Sequence, residues 1–247
     1  MIIALASKMF INKNVSANLN TIIECIKECA AQKVNLLCFG EAFLHGFDGL
    51  EWEYETDILT ALSTGSEIFS IISDTAEHYG VAVAFGYIEN DNEFIYSSYA
   101  VIDEKGKLIY NFKRVSIGWK NVCAWENPLY KEGSGFSSFS IMEKKFSVGL
   151  CGDFWYDENI EKIQMIDCDL VLWPVFIDEG NDDAKNWGTA GRNEYAEKAR
   201  QIHKKVLFIN SITDEPSPGF GSCIYFEDGK IVCEVAPYTN GLLILHI

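Results

Sequence analysis

One pattern limits the folds open to this chain more than any other. Strand-length apolar runs alternate with helix-length amphipathic segments, and the order occurs twice. The first runs lie at 2–6 (IIALA), 34–39 (VNLLCF), 81–86 (VAVAFG), 98–102 (SYAVI) and 107–112 (KLIYNF). The second set lies at 145–151 (KFSVGLC), 169–174 (DLVLWP), 206–211 (VLFINS), 221–226 (GSCIYF), 230–235 (KIVCEV) and 242–246 (LLILH). Between them, 15–32 places Leu19, Ile22, Ile23, Ile26 and Ala30 at helical spacing, and 66–79 repeats the pattern with Gly80 as its stop. Segments 157–166 and 184–204 complete the helices. In both halves the order is strand, helix, strand, helix, strand and hairpin, with "IDEKGKL" and "FEDGKIV" supplying glycine-containing turns.

Strands that alternate with helices predict a parallel or mixed sheet covered by helices. Two such halves, each with one open sheet face, bury those faces against each other. The expected fold is therefore α/β, a four-layer α-β-β-α sandwich of two similar halves. No Pro- or Ser-rich linker divides it, so residues 1–247 are read as a single domain.

The charge balance narrows the partners. Thirty-six Asp and Glu against 20 Lys and Arg give a net charge of −16, and no basic run reaches five residues. Nucleic acid and anionic membrane surfaces both need clustered cations, so neither is an expected partner. "MIIALASKMF" has no basic leader or small-residue cleavage site and reads as a first strand. No apolar stretch approaches the roughly 18 residues of a membrane span. A soluble, cytoplasmic protein is expected. Eight dispersed cysteines do not form a disulfide framework. Cys25 and Cys29 lie one helical turn apart, but His45, His78, His203 and His246 are scattered without ligand spacing. Neither a metal nor an organic cofactor is expected.

Three strand ends carry chemistry-bearing side chains. "FSVGLCGDFWYDE" at 146–158 puts Cys151 at the exit of a buried strand, before a helix start that lowers a thiol's pKa. Asp153, Asp157 and Glu158 oppose that effect, so a reactive thiolate here needs a cation and a base from elsewhere. No histidine occupies a comparable place. "LLCFGEAFLHGFDGL" runs a buried strand into Glu41, and an unpaired buried carboxylate costs several kcal/mol. The plainer readings are that Cys151 is core and that Glu41 caps the next segment. "YNFKRVSIGWK" brings Lys113, Arg114 and Lys120, and "WENPLYKEG" brings Glu126.

These stretches together resemble the nitrilase, or carbon–nitrogen hydrolase, superfamily. The matching pieces are "FGEAFLHGF", the hairpin and basic strand at 98–114, "ENPLYKEG", "GLCGDFWYDE", "DLVLWPVF", "EYAEKARQIHKKVLFIN" and "GFGSCIYFEDGKIV", in the family's order along nearly the whole chain. The resemblance implies hydrolysis of a non-peptide C–N bond in a small-molecule amide by a homodimer or larger homo-oligomer. Cys151 would be the nucleophile, Glu41 the general base and Glu126 the second glutamate that positions base or substrate. A lysine would stabilise the tetrahedral oxyanion. Lys113 and Lys120 are candidates for it, with Arg114 as the third. Two departures stand out. The family usually has an aromatic residue after the cysteine; Gly152 stands there and is expected to open space beside the nucleophile. The family's Tyr-x-Lys aligns without a gap to Phe112-x-Arg114, and arginine is not a conservative exchange for lysine.

Asp153 and Glu158 also match family positions and are read as binders of backbone amides at the helix start. The Trp-Pro pair of "LWPVF" is read as a pocket wall. The leading expectation is an amidase. An N-carbamoyl hydrolase, a nitrilase, an inactive relative kept as a scaffold and a redox-sensing thiol protein are the alternatives. Specificity is expected from loops 42–60, 116–130 and 176–190. Acidic residues in "EWEYETD" and at Asp182 and Asp183 would favour a neutral or cationic substrate.

Overall fold

In the computed structural model the repeated pattern becomes two six-stranded sheets packed face to face, with helices on both outer surfaces. The structure describes residues 1–177, 187, 191–213 and 218–247. The first half runs β1 (Ile2–Ser7), α1 (Val15–Ala31), β2 (Leu36–Cys38), α2 (Tyr54–Thr60), α3 (Glu67–Tyr79), β3 (Ala82–Asp91), β4 (Phe94–Ile102) and β5 (Leu108–Lys113). The second runs β6 (Ser138–Ile141), β7 (Lys144–Val148), α4 (Asp157–Gln164), β8 (Leu170–Val175), α5 (Arg192–Gln201) and β9 (Lys205–Asn210). A small β10 (Ile212–Thr213) and β11 (Gly219–Phe220) pair follows, then β12 (Cys223–Glu227), β13 (Lys230–Val235) and β14 (Gly241–His246).

The sheets have matching topologies. One reads β14-β1-β2-β3-β4-β5 and the other β6-β7-β8-β9-β12-β13. In each, three central strands run parallel and the outer pairings are antiparallel. Three details depart from the sequence reading. The run at 242–246 does not extend the second sheet; it crosses back to pair antiparallel with β1, Ile2 opposite His246. The corresponding place beside β7 is taken by β6, a strand the apolar pattern did not mark. Loop 42–60 also contains the short helix α2.

Alternation along each strand explains the layers. Ile3 and Leu5 of β1 face the opposite sheet, where they meet Val148, Leu172, Leu207 and Ile209; Ala4 and Ala6 face α1 and α3. Fully burying each such aliphatic side chain is worth roughly 1.5–3 kcal/mol. The Asn14 side chain caps α1 by accepting the Ala17 amide hydrogen at 3.0 Å. Gly80 ends α3 at φ +66°, as its position in the sequence predicted. On the far side, Ile160, Ile163, Tyr195 and Ala199 pack α4 and α5 onto Val171, Trp173 and Phe208. Among the described residues no helix is long and apolar enough to cross a membrane.

Candidate active site

The carboxyl ends of β2, β5 and β7 converge, and each delivers one functional group. After β2 the chain passes close over Gly86 of β3. A Cβ added at Gly86 would stand 2.3 Å from the Ala42 nitrogen, so only glycine admits this path. The turn buries Glu41 to 1% exposure. After β5, Arg114 enters the same space, and its Nη1 donates to Glu41 Oε1 at 2.6 Å. After β7, Cys151 opens a 3-10 turn (Cys151–Trp155) with φ +42°, a left-handed conformation that a β-substituted residue adopts only when its surroundings impose it.

Those surroundings are visible. The Trp173 indole N–H donates to the Cys151 carbonyl at 2.9 Å. The Asp153 carboxylate is fully buried and ties the cysteine turn to the end of β5. One oxygen accepts the Leu150 amide at 2.9 Å, and the other accepts the Val115 and Ser116 amides at 3.1 and 2.7 Å. Ser116 in turn accepts from Arg114 Nε at 2.9 Å. Asp153 therefore binds backbone amides, as its place in the sequence suggested, but it joins two strand ends rather than only capping a helix. Trp173 belongs to the core beneath the nucleophile and is not a pocket wall.

The electrostatics follow from burial. Removal from water raises the Glu41 pKa, and Arg114 together with the Cys151 thiol pulls it part of the way back. Burial, then the neighbouring Glu41 carboxylate, pushes the Cys151 thiol up to about 12, against the opposing charge of Arg114. The Phe176 amide favours the thiolate by hydrogen-bonding towards the sulfur. Glu41 Oε2 is buried without a conventional hydrogen bond. The resting site thus holds a protonated thiol beside a carboxylate whose basicity is raised by its dry surroundings. Such a carboxylate is suited to accept a proton and later return it.

The other expected residues lie elsewhere. Lys113 occupies the opposite face of β5, where its Nζ meets Asp91 Oδ2 at 2.5 Å, stands 3.9 Å from Glu89 and lies over the Tyr96 ring. Lys120 is buried, with its ammonium engaged by Glu132 at 2.7 Å and by the Tyr130 carbonyl at 3.1 Å. Glu126 is exposed on the loop after Ala124. The cation beside Glu41 is Arg114, and the room expected next to Gly152 is taken by its guanidinium. Glu158, also expected to hold backbone amides, is exposed. Asp182 and Asp183 lie outside the described residues. Among the described residues no group of three or more His, Cys, Asp or Glu side chains is placed to hold a metal ion.

This geometry yields a prediction. Lys113→Met is expected to leave catalytic rates within about twofold of the parent. It should cost about 1 kcal/mol of stability by removing a partly exposed ion pair. Steady-state kinetics and urea unfolding on the same preparation check both halves; a large fall in rate would place Lys113 in the chemistry.

A thiol, a carboxylate and a cation thus meet at three strand ends of a four-layer sandwich, and sequence comparison supplies the class of protein to which the chain belongs. The carbon–nitrogen hydrolase family model matches residues 3–247, and the chain belongs to that family. It is 22% identical over 250 residues to N-carbamoylputrescine amidase of Arabidopsis thaliana, covering 94% of this chain and 81% of that protein. It is 25% identical over 141 residues to an arylacetonitrilase of Fusarium vanettenii, covering 54% of this chain and 40% of the relative. The chain spans about half the length of that relative, of the arylacetonitrilase of Arthroderma benhamiae and of the nitrilase of Pyrococcus abyssi. Among solved structures, an amidase from Nesterenkonia AN1 superposes with TM-score 0.79 at 17% identity, covering 99% of this chain and 89% of that one. A carbon–nitrogen hydrolase from Helicobacter pylori G27 gives 0.82 at 14% identity, covering 99% and 87%. These two likenesses establish the fold.

Proposed function

We propose that this protein hydrolyses the C–N bond of a small amide through a thioester on Cys151. The observation that carries this reading is the meeting of Cys151, Glu41 and Arg114. The thiol sits on a left-handed turn, beside a carboxylate with one oxygen held by the guanidinium and the other without a conventional hydrogen bond and left to the thiol. Glu41 takes the thiol proton as sulfur attacks the amide carbonyl carbon, and the carbonyl electron pair collects on oxygen. Arg114 offsets that negative charge in a site with little water, where a fixed cation is most effective. As the oxyanion collapses, the C–N bond breaks and Glu41 returns the proton to the departing nitrogen. A water molecule then gives a proton to Glu41 and adds to the thioester. Collapse of that second adduct releases the carboxylic acid, and the sulfur regains its proton.

The substrate class follows from charge. With a net charge of −16, and Glu53 and Glu55 exposed at the entry to α2, the protein repels anions and favours a neutral or cationic amide. A ureido substrate is the second reading, supported by the match to the plant N-carbamoylputrescine amidase along most of both chains. In a variant of the Nesterenkonia sp. AN1 amidase, the acetamide moiety of fluoroacetamide is covalently attached to the active-site cysteine. That attachment leaves the amide intact; the adduct to seek here is instead an acyl group on Cys151, formed with loss of the amide nitrogen.

The test is ammonia release from a panel of small amides, carbamoyl compounds and nitriles, with intact-mass spectrometry, for the parent and for Cys151→Ala. Turnover and an acyl adduct in the parent only are expected. Turnover that survives the substitution would remove Cys151 as nucleophile. Silence across the panel with no adduct would favour a binding role.

A further inference from the structure

The two departures from the family pattern, Gly152 and Arg114, touch each other. A Cβ built on Gly152 would stand 2.6 Å from Arg114 Nη2, 3.7 Å from its Cζ and 3.5 Å from Ser116 Oγ. Carbon does not approach nitrogen that closely without one of them moving. The end of an arginine side chain usually yields at little cost, but this one is pinned twice. Nη1 is held by Glu41 at 2.6 Å and Nε by Ser116 at 2.9 Å. Arg114 is itself buried, and the Ser116 backbone is fixed by Asp153. A planar fork held at two of its three nitrogens cannot swing its third aside without releasing one of the others. Nη2, the third nitrogen, lies against the residue that follows the nucleophile.

We propose that Gly152 is a positioning residue whose missing side chain admits the arginine, and that Arg114 and Gly152 form one functional unit. This rests on the reading of Arg114 as the site's cation. The guanidinium divides its work: Nη1 holds the base, Nε anchors the fork, and Nη2 is the donor aimed at the reacting oxygen beside Cys151. Gly152 consequently does not enlarge the substrate pocket, because the volume a side chain would fill is already occupied. A substituent there displaces Nη2 and, through the rigid fork, loosens the Glu41 pair.

The test is a double-substitution cycle of parent, Gly152→Ala, Arg114→Lys and the combined variant, each checked for folding by thermal unfolding. The primary readout is the iodoacetamide alkylation rate across pH, measured on the peptide that carries Cys151, which needs no knowledge of the substrate. Alkylation follows the thiolate fraction, so loss of the positioned cation by about one pKa unit slows it about tenfold below the thiol pKa. Gly152→Ala is expected to slow labelling about tenfold with Arg114 present, and less than twofold in the Arg114→Lys background, because a lysine leaves Nη2's place empty. Equal effects in the two backgrounds would overturn the proposal, as would parent-like labelling of Gly152→Ala or no labelling of Cys151 in any of the four. Amide turnover is measured in parallel. A coupled cycle without turnover keeps the Arg114–Gly152 unit and rejects the hydrolase reading, whereas turnover with an additive cycle does the reverse.

Discussion

Arg114→Met is expected to lower kcat/KM by about 10²–10³, the range found when one oxyanion donor is removed, and to destabilise the fold in a pH-dependent way. The guanidinium is the cation paired with Glu41, a carboxylate 1% exposed. Removing one partner of a buried pair costs roughly 3–5 kcal/mol while the other remains charged. Glu41 has an escape, since it can take up a proton, and burial already raises its pKa even with Arg114 present. Without the cation the folded-state pKa rises further above the unfolded value of about 4.3. A folded state that holds a proton the unfolded state has released loses stability as pH increases. The deficit of the variant relative to the parent should therefore be small near the unfolded pKa and widen as pH rises through the raised folded value. Urea unfolding of both proteins at pH 5 and pH 8 measures it. An equal deficit at the two pH values would show that Glu41 does not depend on Arg114 for its charge.

Glu41→Gln should separate two properties that usually move together. The amide keeps the shape and offers Arg114 an acceptor, but it cannot accept the thiol proton. Loss of a general base is expected to reduce kcat about 10²–10⁴-fold. At the same time the substitution removes a carboxylate whose charge raises the Cys151 pKa, while Arg114, which lowers it, remains. Alkylation of Cys151 should therefore begin at lower pH than in the parent even though turnover is nearly lost. Iodoacetamide labelling against pH, set beside kcat, gives both readings. A parallel fall of labelling and turnover would mean that Glu41 chiefly holds the thiol in place.

Both experiments concern residues whose legibility in the sequence differed. Glu41 and Cys151 could be found because each follows an apolar strand, where sidedness and chain direction constrain the next residue. The cation could also have been found from the residues alone. Phe112 lies in the core between the sheets, so strand alternation sends Lys113 to the outer face and returns Arg114 to the inner one. Charge type favoured the lysine, and alternation favoured the arginine; alternation was the stronger physical constraint. Glu126 and Lys120 sit in a stretch without periodicity, where packing around Trp119 and Tyr130 decides what is buried. No local pattern encodes that outcome. Strand β6 was missed because its burial alternates over only four residues. The supports under Cys151, the Trp173 indole and Asp153, join segments about 20 to 40 residues apart, and only the folded chain brings them together.

The return of β14 to β1 has a consequence for how the protein is made. Strand β1 has one flank that is sealed only by residues emerging more than 230 positions later, with Ser7 against Gly241 and Ile2 against His246. Until then the nascent chain carries an open, apolar strand edge, a surface that invites pairing with other chains. Chains that stop before Gly241 should therefore be sticky rather than merely less stable, because closure of this sheet waits for β14.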